Sequence, residues 1–94
     1  MELSERYIAE LEKDGYTNIY EWQDQAGTVY PEHTHRGRVT IGLTDGLITI
    51  TLAGIASELV APTVFEIPVG VPHSAIVGPQ GASYIVGEEF EGDS

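Results

Sequence analysis

The chain has no cysteine in its 94 residues, which excludes a disulfide framework and any thiolate metal site. A metal bound here must take nitrogen and oxygen ligands. Basic side chains are almost as scarce: Arg6, Lys13, Arg36 and Arg38 stand against fifteen acidic residues, for a formal net charge of -11. A surface of that sign repels phosphate backbones and anionic lipid headgroups, so neither nucleic acid nor a membrane is expected as a partner. No apolar run approaches the roughly 20 residues of a membrane span. The opening MELSERYIAE is acidic, where a secretory leader needs a basic start and an apolar stretch. The chain therefore reads as a soluble, cytoplasmic protein. At this length one small domain is expected, burying roughly 60 to 65% of the surface of its unfolded chain.

What is present changes period once. Over residues 4–13 a helix is expected, with Ser4 as its cap, Tyr7, Ile8 and Leu11 on one stripe and Gly15 just past its end. From Thr17 onward the chain consists of short runs rich in Val, Ile, Thr and aromatics, bounded by turn residues. The pattern predicts eight strands, at 18–23, 28–35, 38–43, 47–52, 56–60, 63–67, 74–77 and 83–86. Asp45-Gly46 between two of them is a strong hairpin signal. The division expected is a helical segment at 1–16, an all-β barrel or sandwich at 17–88 and a frayed acidic tail at 89–94, with the fraying extending back to Glu88.

Two of the three histidines, His33 and His35, sit one residue apart. On a strand, residues two apart point to the same face, so the two imidazoles converge. Neutral imidazole is a common ligand of Zn, Fe, Ni and Cu. The third, His73, follows Pro68-Val-Gly-Val-Pro72, a rigid turn that aims the next strand. Glu32, one residue from His33, faces away from it, and Glu66 is expected to face solvent. Arg36 and Arg38 follow the pair; they either add to the attraction for an anion or neutralise neighbouring carboxylates. By alternation Arg38 points away from the histidine face, and Tyr30 lies on the face opposite His33. Tyr20 and Trp22 share one face, Ile41 follows Val39, and Phe65 and Tyr84 are further candidates for an apolar pocket wall, with Arg36 as a polar candidate.

Two stretches carry a resemblance. Gly27, His33-Thr-His35, Val39 and Gly46 reproduce the spacing of the first cupin motif, and Pro68-Val-Gly-Val-Pro72-His73 reproduces the core of the second. The chain resembles a small single-domain cupin over residues 18–87. The resemblance implies a jelly-roll β-barrel with a short N-terminal helix, a homodimer, and His33, His35 and His73 as ligands of a divalent Fe, Ni, Mn, Cu or Zn ion. Three positions depart from the family pattern. Val39 stands where a glutamate ligand is usual, Pro62-Thr63 where Gly-Asp is usual, and Val77 at the place of an asparagine. Loss of the glutamate admits two readings: metal binding has decayed and the histidines are pocket residues, or three histidines hold the ion and leave positions open. The functions that follow are a small metal-binding cupin that binds, and transforms, an anionic or enolisable metabolite, or a non-catalytic binding or sensor cupin with or without metal. As an enzyme it would be an oxygenase, isomerase or lyase, for which no side chain in the sequence stands out as a general base.

Overall fold

A computed structural model describes residues 2–90. The helix α1 spans Leu3–Lys13 and is followed by β1 (Asn18–Asp24), β2 (Val29–His33), β3 (Val39–Leu52), β4 (Ile55–Val60), β5 (Thr63–Ile67) and β6 (His73–Glu88). Tyr7 and Leu11 form the buried stripe of α1 and pack with Tyr16 and Ile85 on the outside of the sheet. Gly42 lets the Tyr7 ring lie close, since a Cβ there would meet the Tyr7 Cδ2 at 2.5 Å. Ser4 is not the cap. The chain is already helical at Leu3, and it is the Glu5 carboxylate that closes the first turn by accepting the Glu2 backbone N–H at 3.1 Å.

The expected eight strands are six, because two pairs of runs are single long strands. β3 and β6 pair antiparallel along nearly their whole length. On its other edge β3 pairs with β5 over 39–43 and with β4 over 47–52. The far edge of β6 carries β2 along its first half and β1 along its second. All six strands form one hydrogen-bonded sheet; the registers divide it into two halves, β2-β6-β3-β4 and β1-β6-β3-β5, and both long strands run through each half and bend between them to close a jelly-roll barrel.

Asp45-Gly46 is consequently not a hairpin. The register between β3 and β6 shifts there, between Leu43 and Asp45 and again between Gly46 and Ile48, so the left-handed glycine serves a bulge that turns a corner. The hairpin lies instead at Ala53-Gly54, both at positive φ (48° and 83°), joining Leu52 to its partner Ile55 as a two-residue turn of the kind that suits strand twist. No Asn-Gly or Asp-Gly marks it. The inner faces of both halves meet in one core that includes Val39, Leu43, Ile48, Ile50, Ile67, Val77 and Val86.

The tail expectation also needs correction at its start. Glu88 is in β6 and 1% exposed, pairing with Asn18 and Val39, and its carboxylate accepts the Tyr20 hydroxyl. Glu89 is held by Arg38, whose backbone N–H and Nε lie 2.8 and 3.2 Å from the carboxylate oxygens; this pair holds the exposed Glu89 carboxyl below its usual range, chiefly through the backbone hydrogen bond. Residues 91–94 lie outside the described part. No described helix is long and apolar enough to cross a membrane.

Candidate metal centre and its pocket

His33 ends β2, and His73 begins β6 as its register partner. His35 does not share the strand: β2 stops at His33, and His35 reaches the same place from the following loop, whose course is tied when the Gly70 N–H donates to the His35 carbonyl at 3.0 Å. The turn before His73 thus fixes two ligand candidates at once. The three rings stand 4.3 to 4.9 Å apart between centroids, and one nitrogen from each lies within 4.8 Å of the others. A tetrahedral ion with bonds near 2.05 Å asks for nitrogens about 3.4 Å apart, so the rings would have to draw together around it.

Two observations show that the donors suit a metal. His33 Nδ1 is 2.7 Å from the Pro31 carbonyl and His73 Nδ1 is 3.1 Å from that of Val71. A tautomer that donates from Nδ1 to these carbonyls leaves Nε2 with its lone pair, and such backing is how metal-binding histidines are commonly oriented. Burial pushes the His73 pKa below the usual histidine range, assisted by the neighbouring His33 and His35 and opposed by the bond to Val71. Burial thus favours the neutral ring, the form in which imidazole ligates a metal. His35 and His73 are buried, at 4% and 3% exposure, whereas His33 is half-buried.

The histidines line a cavity of about 180 Å³ together with Tyr20, Trp22, Tyr30, Val39, Ile41, Phe65 and Tyr84. That is the volume of about six waters at roughly 30 Å³ each, enough for a small metabolite. Tyr30, placed by alternation opposite His33, thus faces the same cavity. A register shift between Tyr30 and His33 breaks the alternation, at a strand containing Pro31. Arg36 is not among the lining residues; its guanidinium lies over the Phe90 ring, 5.0 Å from the centroid. Arg38 lies over Tyr16 at 4.8 Å, outward as alternation implied. Glu32 and Glu66 are exposed. Val39 is 2% exposed and apolar neighbours surround it, so among the described residues the ligand-competent group consists of His33, His35 and His73.

Sequence reasoning missed Asp24. Its Oδ1 accepts the Tyr30 hydroxyl at 2.7 Å and the Trp22 indole N–H at 2.9 Å, while Oδ2 accepts the Tyr84 hydroxyl at 2.6 Å. The signal was available in period two, which sets Tyr20, Trp22 and Asp24 on one face. Burial, foremost, and the Asp24 carboxylate push both the Tyr30 and Tyr84 pKa values upward, Tyr84 far more strongly. Because the folded-state values lie above that of a free phenol, the stability these groups contribute is complete below about pH 10 and is lost as pH rises beyond it. In spectrophotometric titration, the difference between the parent and Tyr84→Phe should show the missing phenol ionising only with alkaline unfolding. A difference step near pH 10 in folded protein would contradict the burial of the Tyr84 hydroxyl against Asp24.

Compared with solved structures, the chain is similar to an RmlC-like cupin from Shewanella frigidimarina, at 22% identity over 80% of this chain and 68% of that one, with a TM-score of 0.69. It is similar to the DMSP lyase DddQ from Ruegeria pomeroyi at 19% identity, covering 81% of this chain and 39% of the lyase, with a TM-score of 0.68. The polyketide cyclase RemF from Streptomyces resistomycificus matches at 24% identity over 84% of this chain and 60% of the cyclase, with a TM-score of 0.67. The chain thus spans less than two thirds of both enzymes. No protein-family model and no curated protein matches the sequence. The chain has the cupin fold, a double-stranded β-helix, as its topology and these likenesses agree.

Proposed function

We propose that this cupin-fold chain binds a divalent transition metal, one of Fe, Ni, Mn, Cu or Zn, through His33, His35 and His73, and uses it to hold and transform a small anionic or enolisable metabolite. The observation that carries the reading is the convergence of three imidazoles, two of them backed by carbonyls, at the wall of an apolar cavity. An ion bound there supplies Lewis acidity toward a ligand oxygen and leaves coordination positions open. With Val39 in place of a carboxylate, the three neutral ligands cancel none of the ion's charge, which favours an anionic oxygen. Val39, Ile41, Phe65 and the neighbouring aliphatic side chains exclude water from the ligand, strengthening that attraction in a medium of low dielectric. The reading includes a homodimer, supported by Val29 and Ile76, register partners that are 61% and 52% exposed on the outer face of the β2-β6 pair.

The test is to load the protein with each metal in turn and follow a panel of small hydroxy and keto acids by mass spectrometry and calorimetry. Binding that needs the metal, with consumption of at least one acid, is the expected outcome. Metal-dependent binding without consumption would assign the chain to the non-catalytic binding or sensor class. Absence of metal-dependent binding would reject the reading.

A further inference from the structure

We propose that Tyr30 and Tyr84, whose hydroxyl protons Asp24 holds from behind, form a second recognition subsite in the cavity, one that accepts hydrogen bonds and therefore seats a hydroxyl or ammonium group of the ligand. This names the far end of the molecule whose anionic end the preceding subsection assigns to the histidines, and it rests on that reading for the anionic end alone.

Proton supply decides the character of this subsite. Each phenol has one proton, and both are directed at the Asp24 carboxylate, at 2.7 and 2.6 Å. The Trp22 indole N–H goes to the same carboxylate at 2.9 Å. What the two tyrosine hydroxyls have left is lone pairs. Their oxygens are 3.4 Å apart, a far longer contact than either makes with Asp24; with each proton committed to the shorter bond, an N–H or O–H brought into the cavity finds two acceptors side by side. Hydrogen bonding to a carboxylate polarises both phenols and makes their oxygens better acceptors. Tyr30 and Tyr84 line the cavity; Tyr84 is 7% exposed and Tyr30 half-buried, so it is on the Tyr84 side that the interaction is sheltered from competing water.

The same features reject an anion. The phenol lone pairs face it with the Asp24 carboxylate behind them, and the rings of Tyr20, Trp22, Tyr30 and Tyr84, which line the cavity, prefer positive to negative charge. The cavity thus has two polar regions of opposite demand. Tyr30 and His33 are three residues apart on β2, about 10 Å of extended backbone, and the rest of the cavity lining is largely hydrocarbon, including Ile48, Ile50 and Ala75. A molecule with an oxyanion at one end and a donor at the other can enter in one orientation only. The substrate class is therefore a short hydroxy or amino acid whose donor is remote from the carboxylate, in preference to a dicarboxylate or an unsubstituted acid.

Two measurements decide this. Calorimetry on metal-loaded protein compares alkanoates, ω-hydroxyalkanoates, ω-aminoalkanoates and dicarboxylates of matched, graded chain length. At the best length, the hydroxy or amino acid should bind about tenfold more tightly than the alkanoate, as expected for one hydrogen bond to a charged network. In Asp24→Asn and in Tyr84→Phe the preference should fall to about twofold or less while alkanoate binding is retained. Equal binding of all classes by the parent, or a preference that survives Asp24→Asn, would overturn the subsite. The second measurement dispenses with metal: n-butylammonium and butyrate are titrated into metal-free protein while the Trp22 indole N–H is followed by NMR. Butylammonium should shift that resonance saturably, butyrate should not, and Asp24→Asn should abolish the response, although it leaves fourteen of the fifteen acidic residues to attract cations non-specifically. If no carboxylate binds the metal-loaded protein, the reading of the histidines fails; a missing butylammonium response overturns the subsite itself.

Discussion

Gly46→Ala should remove a large share of the chain's stability. A Cβ at this position would overlap the Gly81 carbonyl oxygen and lie 2.9 Å from the Ala82 Cα, and Gly46 has φ +88°. The obstructing atoms are backbone, in the segment where β6 bends alongside β3, and the Gly46 carbonyl also accepts the Ala61 N–H at 3.0 Å. No side chain can rotate away. Left-handed strain of about 1–3 kcal/mol adds to about 1–3 kcal/mol or more for a forced displacement, against a total stability on the order of 5–15 kcal/mol. Gly54 is the internal control. It has φ +83° but nothing within 4 Å of the place a methyl group would take, so Gly54→Ala should cost only the strain, about 1–2 kcal/mol. Urea unfolding followed by circular dichroism checks both. Equal and mild effects would mean that the corner does not depend on the close contact between β3 and β6.

Val39→Glu should make folding depend on metal. The side chain would replace one that is 2% exposed, among Ile67 and Val86 in the core and opposite Glu88 in register. Without a cation, an unpaired carboxylate there costs about 3–5 kcal/mol, and the buried Glu88 beside it adds repulsion. Burial raises the pKa of such a group. The variant is therefore least impaired below about pH 4.3, the ordinary glutamate value, and loses stability as pH rises through the elevated folded-state pKa. With excess divalent metal the new carboxylate joins three imidazoles, and the loss should be largely recovered. Thermal denaturation at acid and neutral pH, with chelator or with each metal, reads the effect. A variant as stable as the parent in chelator, or one that no metal restores, would contradict the placement of Val39 beside the histidines.

How much of this was legible in the sequence depends on the range of the interactions involved. The three histidines were legible as a group through the two cupin-like motifs, although His35 reaches the site from a loop tied by the Gly70 N–H and not by strand alternation. The barrel was legible in runs of β-formers between turns. What failed was whatever the partner strand decides. Asp45-Gly46 has hairpin chemistry, but its use as a bulge is set by β6 across the sheet, and the real turn at Ala53-Gly54 is formed by pairing on both sides. Tyr30 followed strict alternation in the sequence reading and breaks it in the fold, because β2 slips register against β6. Glu88 looked like the start of a solvated tail, yet it is buried and bonded to Tyr20. Asp24 could be placed on the Tyr20 and Trp22 face from period two, but its two phenol partners come from β2 and β6 and are set by the fold.

The central claim is that His33, His35 and His73 hold a metal. The most direct measurement is elemental analysis of untagged protein after chelator treatment, reloading and gel filtration, with the His33→Ala/His35→Ala/His73→Ala variant alongside and thermal melting of both. The account predicts close to one ion per chain in the parent and none in the variant. Metal at a hundred times its Kd should stabilise the parent by about 2.7 kcal/mol, about 10–20 °C in Tm for a domain of this size, and leave the folded variant unmoved. A parent that emerges free of metal with no shift in Tm, or a variant that retains as much metal as the parent, would contradict it.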